Sequence, residues 1–232
     1  MQKDELVRWA GVGAVGLSLL SGCVSEELAP PFPNGSGQDA IDVAAYPESP
    51  YGIRVGSTIA NYKFVGYANA SEVNDALQEI RLSDFYNPTG EDVYSDEGRD
   101  VQYGAGKAKP KALLIVVSSV WCGPCNYEAE KVLPDEYKRF APHGEFLLQL
   151  ADGGTPGDPA KQRDLYNWTR KYKVDYPSAI DPSYKLGSLF NADAYPANMI
   201  VDTRDMSIVQ VVSGSPSSGF WNTFQRVVDG TL

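Results

Sequence analysis

The feature that most constrains the fold is an apolar run followed closely by two cysteines. Residues 112–117 are Ala-Leu-Leu-Ile-Val-Val, an unbroken apolar run with polar residues on both sides. Such a run is typical of a strand buried on both faces inside an α/β sheet. Cys122 and Cys125 follow it, and residues 126–133 have a helical pattern. The cysteine pair is therefore predicted to lie where a central strand ends and a helix begins.

The first turn of a helix favours negative charge, which matters for a cysteine placed there. Its backbone N–H groups have no partner within the helix, and the helix dipole is positive at that end. The pKa of such a thiol falls from about 8.5 towards about 3.5–7.5. We expect Cys122 to be the nucleophile and the nearer to solvent, and Cys125 to resolve a mixed disulfide. Pro124 costs little there because its missing N–H would be unpaired anyway.

Two other uses of the pair are less favoured. A structural zinc site normally takes four cysteine or histidine ligands, and the chain has three cysteines and a single histidine, His143. A purely structural disulfide that closes so short a loop would constrain the unfolded chain very little. The residues therefore favour redox chemistry without a bound metal.

The sequence Trp-Cys-Gly-Pro-Cys at residues 121–125, placed after a buried strand, resembles the active site of the thioredoxin superfamily. The resemblance implies an α/β, thioredoxin-like fold with a central mixed sheet flanked by helices. It also implies that Cys122 and Cys125 are the catalytic pair and that no cofactor is needed. Trp121, Gly123 and Pro124 would face the substrate; the alternative for Trp121 is an aromatic side chain that simply packs beside the core strand.

Alternating strand and helix patterns follow the cysteines and predict a parallel sheet. Pro134 should kink the helix that begins at the cysteines. The other predicted elements are a strand at 145–151, a helix at 159–172, a short helix at 183–190, strands at 197–202 and 207–212, and an amphipathic helix at 219–228.

An X-Pro bond directly before such a late strand is where thioredoxin-fold proteins carry a cis-proline that faces the two cysteines. The resemblance assigns this role to Pro196, which opens the hairpin predicted at 197–212. Tyr195 is bulkier than the Thr, Val or Ile often found before that proline. We expect Tyr195 and Pro196 to bind the substrate, with Tyr195 narrowing the groove.

Two further features resemble periplasmic redoxins of the TlpA/ResA type. Residues 80–86 resemble the segment before the first core strand in that group, in which an N-terminal extension pairs with the sheet. Glu128, one turn after Cys125, matches a glutamate that in that group helps to set cysteine acidity and to transfer protons. The alternative is a solvated glutamate that favours the helix dipole. Cytosolic thioredoxins have a buried aspartate where this chain has Val116, which favours Glu128 for proton transfer.

The N-terminus has the pattern of an export signal followed by a lipidation site. A basic start precedes an uncharged apolar stretch that is too short for a permanent membrane helix. It ends Leu-Ser-Gly-Cys, which resembles the lipobox of bacterial lipoproteins, in which the cysteine carries the lipid. An ordinary signal peptide with an incidental cysteine is the alternative. The predicted organisation is a signal peptide at 1–22, lipidated Cys23 and a flexible tether at 23–50, and a thioredoxin-like domain at 51–232.

Charge and anchoring limit the partners and the compartment. A formal net charge of -10 argues against binding to nucleic acid and against adhesion to anionic lipid. The lipid on Cys23 would instead anchor the protein in a membrane of the bacterial envelope, facing the periplasm. Val24, rather than an aspartate, follows the cysteine, which slightly favours the outer membrane over the inner.

These features together predict a membrane-tethered thiol–disulfide oxidoreductase. Gly-Pro between the cysteines resembles reducing thioredoxins and favours the reduction of periplasmic protein disulfides, with electrons supplied by a membrane protein of the DsbD type. Two alternatives stay open. A peroxiredoxin-type peroxidase would carry a Thr-x-x-Cys site, and this chain has Ser119 at the threonine position. A Cu(I)-binding or metal-site assembly module would use the two thiolates as ligands.

Overall fold

The computed structural model describes residues 46–232 except 71–72, 75, 182, 184 and 188–193. The predicted signal peptide, Cys23 and nearly all of the predicted tether lie outside the described residues, as do residues 184 and 188–190 of the short helix predicted at 183–190. Within the described part of the chain, every helix is too short or too polar to span a bilayer.

The described residues form a mixed sheet with helices packed against it. The strands are β1 (Lys63–Tyr67), β2 (Gln78–Arg81), β3 (Ala112–Ser119), β4 (Gly144–Asp152), β5 (Ser178–Ile180), β6 (Ala197–Asp202) and β7 (Ser207–Ser213). The α-helices are α1 (Gly123–Lys131), α2 (Leu133–Phe140), α3 (Gln162–Tyr172) and α4 (Ser218–Val228). The strand order is β2-β1-β5-β4-β3-β6-β7. Strands β3, β4 and β5 run parallel, and the other pairs are antiparallel.

The strands and helices predicted after the cysteines are found with small differences in their limits. Helix α3 begins at Gln162, later than predicted, because Pro159 and Ala160 still run back along the end of β4. The helix predicted to kink at Pro134 is divided there into α1 and α2. Pro134 occupies the first turn of α2, where its missing N–H needs no partner.

The two faces of the sheet are covered by different parts of the chain. Helices α1 to α4 pack on the face that carries Leu114 and Val116 of β3. The opposite face, which carries Leu113 and Ile115, is covered largely by side chains from residues 46–103. All eight residues of β3 are buried, and β4 and β6 flank its edges. The strand that leads to the cysteines is therefore held on every side.

An N-terminal extension joins the sheet through β1, as the resemblance predicted. In the pairing of β1 with β5, Gly66 lies opposite Ala179. Gly66 has no room for a side chain, because a Cβ there would lie 2.5 Å from the Ala179 Cα. Tyr46 is also buried, and its hydroxyl donates to the carbonyl of Ile59 (2.7 Å). Packing against the domain therefore includes Tyr46, which lies in the segment predicted as a tether.

The buried carboxylate of Asp84 joins two further segments of the extension through hydrogen bonds. Arg99 donates to both oxygens of Asp84 through Nε (3.2 Å) and Nη2 (2.8 Å), and the Tyr103 hydroxyl donates to the same carboxylate (2.6 Å). Such a two-pronged contact satisfies a carboxylate more fully than a single ion pair. It locks together the two 3-10 helices Leu82–Phe85 and Gly98–Tyr103, which cover the sheet away from the cysteines.

Candidate active site

The two cysteines lie at the junction of β3 and α1, as predicted, and form a disulfide. Strand β3 ends at Ser119 and α1 begins at Gly123. The Cα atoms of Cys122 and Cys125 are 5.3 Å apart, within the usual range for a disulfide. The turn between strand and helix is short because the N–H of Cys122 already donates to the carbonyl of Ser119 (3.1 Å).

Cys122 is the N-cap residue of α1. Its Sγ accepts a hydrogen bond from the N–H of Cys125 (3.1 Å), and its carbonyl accepts one from the N–H of Asn126 (3.1 Å). A donor of the first helical turn therefore points at the sulfur, where it would stabilise the charge of a thiolate. Cys122 is 2% exposed and Cys125 is fully buried. As predicted, Cys122 is nearer to solvent than Cys125, although both are largely buried in the disulfide form.

The dipeptide between the cysteines is open to solvent. Gly123 and Pro124 are both exposed, and a Cβ built on Gly123 would meet no atom within 4 Å. The described chain thus leaves the outer side of this turn uncovered. A partner can reach the first turn of α1 from that side.

Trp121 stands beside the disulfide as a partly exposed aromatic side chain. Its indole N–H donates to Oδ2 of Asp152 (2.9 Å), at the end of β4. Its ring lies edge-on to that of Tyr195, with 6.0 Å between the ring centroids. These two contacts fix the indole while 40% of the residue stays exposed, which leaves a rigid apolar surface for a partner.

The Tyr195–Pro196 peptide bond is cis, as the resemblance predicted. Pro196 is buried, and the next residue, Ala197, pairs with Val117 near the end of β3. Pro196 therefore lies at the same edge of the sheet as the cysteines. Burial, with a smaller contribution from Asp152, raises the pKa of Tyr195, so its hydroxyl stays protonated at neutral pH.

Glu128 is buried behind the cysteines, and the alternative of a solvated glutamate is wrong. It is 0% exposed and lies one turn after Cys125. Its Oε1 accepts from Nδ2 of Asn198 (3.1 Å), while Oε2 has no hydrogen-bond partner among the described residues. Burial raises the pKa of Glu128 from 4.5 to about 8, against a smaller lowering by the Asn198 hydrogen bond. The carboxyl can therefore exchange a proton near neutral pH.

Three polar residues at the site were not identified from the sequence. Asn198 interrupts the apolar pattern of β6, which was a usable signal because a buried amide needs a partner. Asp152 ends a strand parallel to β3, and ligand-binding groups collect at that edge of such sheets. Asn126 donates to the carbonyl groups of two preceding residues and accepts from the Tyr172 hydroxyl. No local pattern predicts the contact with Tyr172, which comes from a distant helix.

The described residues contain no cluster of three or more His, Cys, Asp or Glu side chains that could hold a metal ion. His143 is exposed in the turn before β4, and its carbonyl accepts from the N–H of Lys111 (2.7 Å).

No protein-family model and no curated protein matches the sequence, but solved structures resemble its fold. A secreted thiol-disulfide isomerase from Corynebacterium glutamicum superposes with a TM-score of 0.50 at 17% identity, over 75% of this chain and 86% of that one. A protein from Bacteroides thetaiotaomicron, provisionally assigned as a protein disulfide isomerase, gives a TM-score of 0.50 at 15% identity, over 76% and 89%. The chain therefore has the predicted thioredoxin-like fold, with a central mixed sheet, flanking helices and an N-terminal extension.

The buried carboxyl of Glu128 predicts a specific dependence of stability on pH. Between pH 4.5 and about 8 the unfolded chain has lost the proton that the folded chain retains. The free energy of unfolding of the disulfide form should therefore fall, through this group, by about 1.4 kcal/mol per pH unit across that interval. Glu128→Gln should remove this contribution, so the variant gains stability over the parent as the pH rises from 5 to 8.

Urea unfolding of both proteins at several pH values measures the difference. Glu130→Gln on the exposed side of the same helix is the matched control and should keep the slope of the parent. An unchanged slope in Glu128→Gln would show that the carboxyl is not buried with a raised pKa.

Proposed function

We propose that the protein is a thiol–disulfide oxidoreductase that reduces protein disulfides through Cys122 and Cys125. The observation that carries the proposal is the hydrogen bond from the N–H of Cys125 to Sγ of Cys122 at the start of α1. A sulfur held there has a stabilised thiolate, and the thiolate is the form that attacks a disulfide. The fold supports the same class of chemistry, since the cysteines occur at its strand-to-helix junction.

The first step joins enzyme and client. The Cys122 thiolate attacks one sulfur of the client disulfide, so that a bond forms between Cys122 and that sulfur while the client's own S–S bond breaks. The second client sulfur leaves as a thiolate and takes a proton from solvent. The N–H of Cys125 stabilises the attacking thiolate before the reaction.

The second step releases the client and needs a base for Cys125. The thiol of Cys125 gives its proton to the ionised carboxylate of Glu128, which lies one turn further along the same helix. The Cys125 thiolate then attacks Cys122 and expels the remaining client sulfur, which is protonated in turn. The client gains two electrons and two protons, and the enzyme is left with the disulfide.

The client is proposed to lie across the exposed rim of the site. Trp121 offers a fixed aromatic surface beside Cys122, and Gly123 and Pro124 leave the outer side of the turn open. Tyr195 and Pro196 complete the groove at the same edge of the sheet. Such a rim suits an extended segment of polypeptide, because the described residues leave Trp121, Gly123 and Pro124 exposed side by side along the turn.

Reduction is the proposed direction because Gly-Pro separates the cysteines, as it does in reducing thioredoxins. An enzyme that reduces its clients needs a continuous supply of electrons, and a membrane donor of the DsbD type would provide it. We further assign the chain to the TlpA/ResA-type redoxins on the extension that pairs with the sheet and on the buried Glu128.

Replacement of each cysteine should give a distinct result. Cys122→Ser should lower turnover of a protein disulfide, such as those of insulin, at least about a hundredfold, because the attacking group is lost. Cys125→Ser should also stop turnover, but it should accumulate a mixed disulfide with the client that is visible on a non-reducing gel. Cys23→Ser is the matched control and should retain full activity. Turnover retained by Cys122→Ser would overturn the proposed function.

Lipidation of Cys23, with the 1–22 segment removed and the domain facing the periplasm, is part of the same proposal and has a test of its own. Cells fed labelled palmitate should yield labelled protein in the membrane fraction, with the outer membrane slightly favoured. Cys23→Ser should carry no label and should leave that fraction, because acyl chains are the anchor. A parent protein that takes up no label would contradict lipidation without affecting the redox assignment.

A further inference from the structure

We propose that Asn198 is a positioning residue that orients the carboxylate of Glu128 for proton exchange with Cys125. The inference rests on the proposed function. It adds a residue of strand β6 that lies outside the Cys-Gly-Pro-Cys motif at 122–125. It predicts that the resolving step of the reaction depends on a strand side chain.

The contact itself joins two distant parts of the chain in the core. Nδ2 of Asn198, on β6, donates to Oε1 of Glu128, on α1, over 3.1 Å. Both residues are 0% exposed. The hydrogen bond therefore fixes the carboxyl from the sheet side, while Glu128 and Cys125 lie on the same face of the helix above.

Asn198 is a buried amide whose neighbours in the sheet are apolar. It pairs with Val116 of β3 and Val212 of β7, and Ile200 follows it on the same face of β6. A buried polar group in such surroundings costs free energy unless it is hydrogen-bonded. Besides Glu128, Nδ2 has one long contact, with the carbonyl of Gly214 (3.4 Å). The main interaction of this amide is therefore with the carboxyl of Glu128.

The pairing is incomplete in a way that suits a carboxyl that carries a proton. Oε2 of Glu128 and Oδ1 of Asn198 are buried acceptors without a partner among the described residues. When Glu128 is ionised, its carboxylate has one donor, Nδ2 of Asn198, and two buried oxygens of the pair have no donor. When Glu128 is protonated, its own O–H adds a donor to the pair. The arrangement therefore provides a donor for the ionised form and an unpaired acceptor for the protonated form, which suits a group that relays a proton.

Few other polar groups lie near the carboxyl of Glu128 and affect its pKa. On its own helix the reduced site would present the thiols of Cys122 and Cys125. Tyr176, from the segment before β5, lies close enough for Glu128 to contribute to the raised pKa of its hydroxyl. Strand β3 presents Val116, and the buried residues of α4 are apolar. No charged side chain of the described residues contributes to the pKa of Glu128, which is set by burial and by Asn198.

The sign of the effect follows from the direction of the hydrogen bond. Nδ2–H donates to the carboxylate and so stabilises its ionised form, which lowers the pKa of Glu128 from the value that burial alone would give. Loss of this donor raises the pKa further. Since the ionised form takes the proton from Cys125, the resolving step should then need a higher pH.

The test separates the two steps with an aromatic disulfide, 5,5′-dithiobis(2-nitrobenzoate), added to the reduced full-length chain carrying Cys23→Ser. Attack by Cys122 releases the first coloured thiolate, and resolution by Cys125 releases the second. In the parent, the rate of the second release should rise with pH with a midpoint near 8. Asn198→Leu, which keeps the shape but has no donor, should move that midpoint upward. At pH 7 it should slow the second release about three- to tenfold and leave the first release nearly unchanged.

Two controls isolate the hydrogen bond from general packing. Gln149→Leu removes another fully buried amide, on the opposite face of the sheet, and should not move the midpoint. In a Glu128→Gln background, Asn198→Leu should have no further effect on the pH profile. If Asn198→Leu fails to fold, Asn198→Asp replaces it, and a second carboxylate beside Glu128 should move the midpoint upward as well.

The outcomes separate this inference from the function on which it rests. A parent that releases no thiolate and reduces no protein disulfide contradicts the proposed function. A parent with the expected two releases, whose midpoint is the same in Asn198→Leu or Asn198→Asp, overturns the role of Asn198 alone, even if the rate falls uniformly at every pH.

Discussion

The structure depends on the point where a fully buried strand, β3, is followed by helix α1. Strand β3 is covered on both faces and paired on both edges, so the position of its end is fixed by the whole core. Helix α1 starts four residues after the end of the strand, and its N-cap side chain is a sulfur that accepts a hydrogen bond from a first-turn N–H. An ordinary N-cap of serine or aspartate would satisfy that donor with oxygen. Here the same donor is directed at a group that can react.

A second constraint is the buried acid beneath the site. A carboxyl with no access to water is costly to ionise. Burial raises the pKa of Glu128 and the hydrogen bond from Asn198 lowers it, so the protonated and ionised forms are both accessible near neutral pH. The helix thus presents a sulfur at its exposed end and an acid at its buried flank. The rim above them is held by contacts from β4 and from the segment before β6, through Asp152 and Tyr195. Four elements therefore meet at one edge of the sheet.

The parts of the fold that the sequence predicted well are those with a strong local pattern. The apolar run of β3, the cysteine pair, the break at Pro134 and the hairpin that follows Pro196 each have a signature within a few residues. The cis bond before Pro196 came from a resemblance, since local preference favours trans. The alternation along β3, β4 and β6 also decides which residues face the helices.

The remaining features arise from contacts between distant residues, which no short pattern encodes. Asn198 meets Glu128 across 70 positions of sequence, and Tyr172 meets Asn126 across 46. The packing of Tyr46 was missed because its surroundings are rich in proline and glycine and resemble a tether. Glu128 was placed on the correct face of its helix, but its burial depends on the sheet that covers it. Spacing along a helix predicts the face on which a residue lies, whereas the exposure of its side chain depends on what packs against that face in the tertiary fold.

The most direct test of the central claim is the reduction potential of the Cys122–Cys125 pair. The chain carrying Cys23→Ser, so that two cysteines remain, is equilibrated with dithiothreitol or glutathione buffers, and its free thiols are counted by alkylation. A two-electron equilibrium near about −270 mV, like that of thioredoxin, is the result predicted for an enzyme that reduces its clients. A potential near about −120 mV would identify an oxidant that inserts disulfides and would contradict the account.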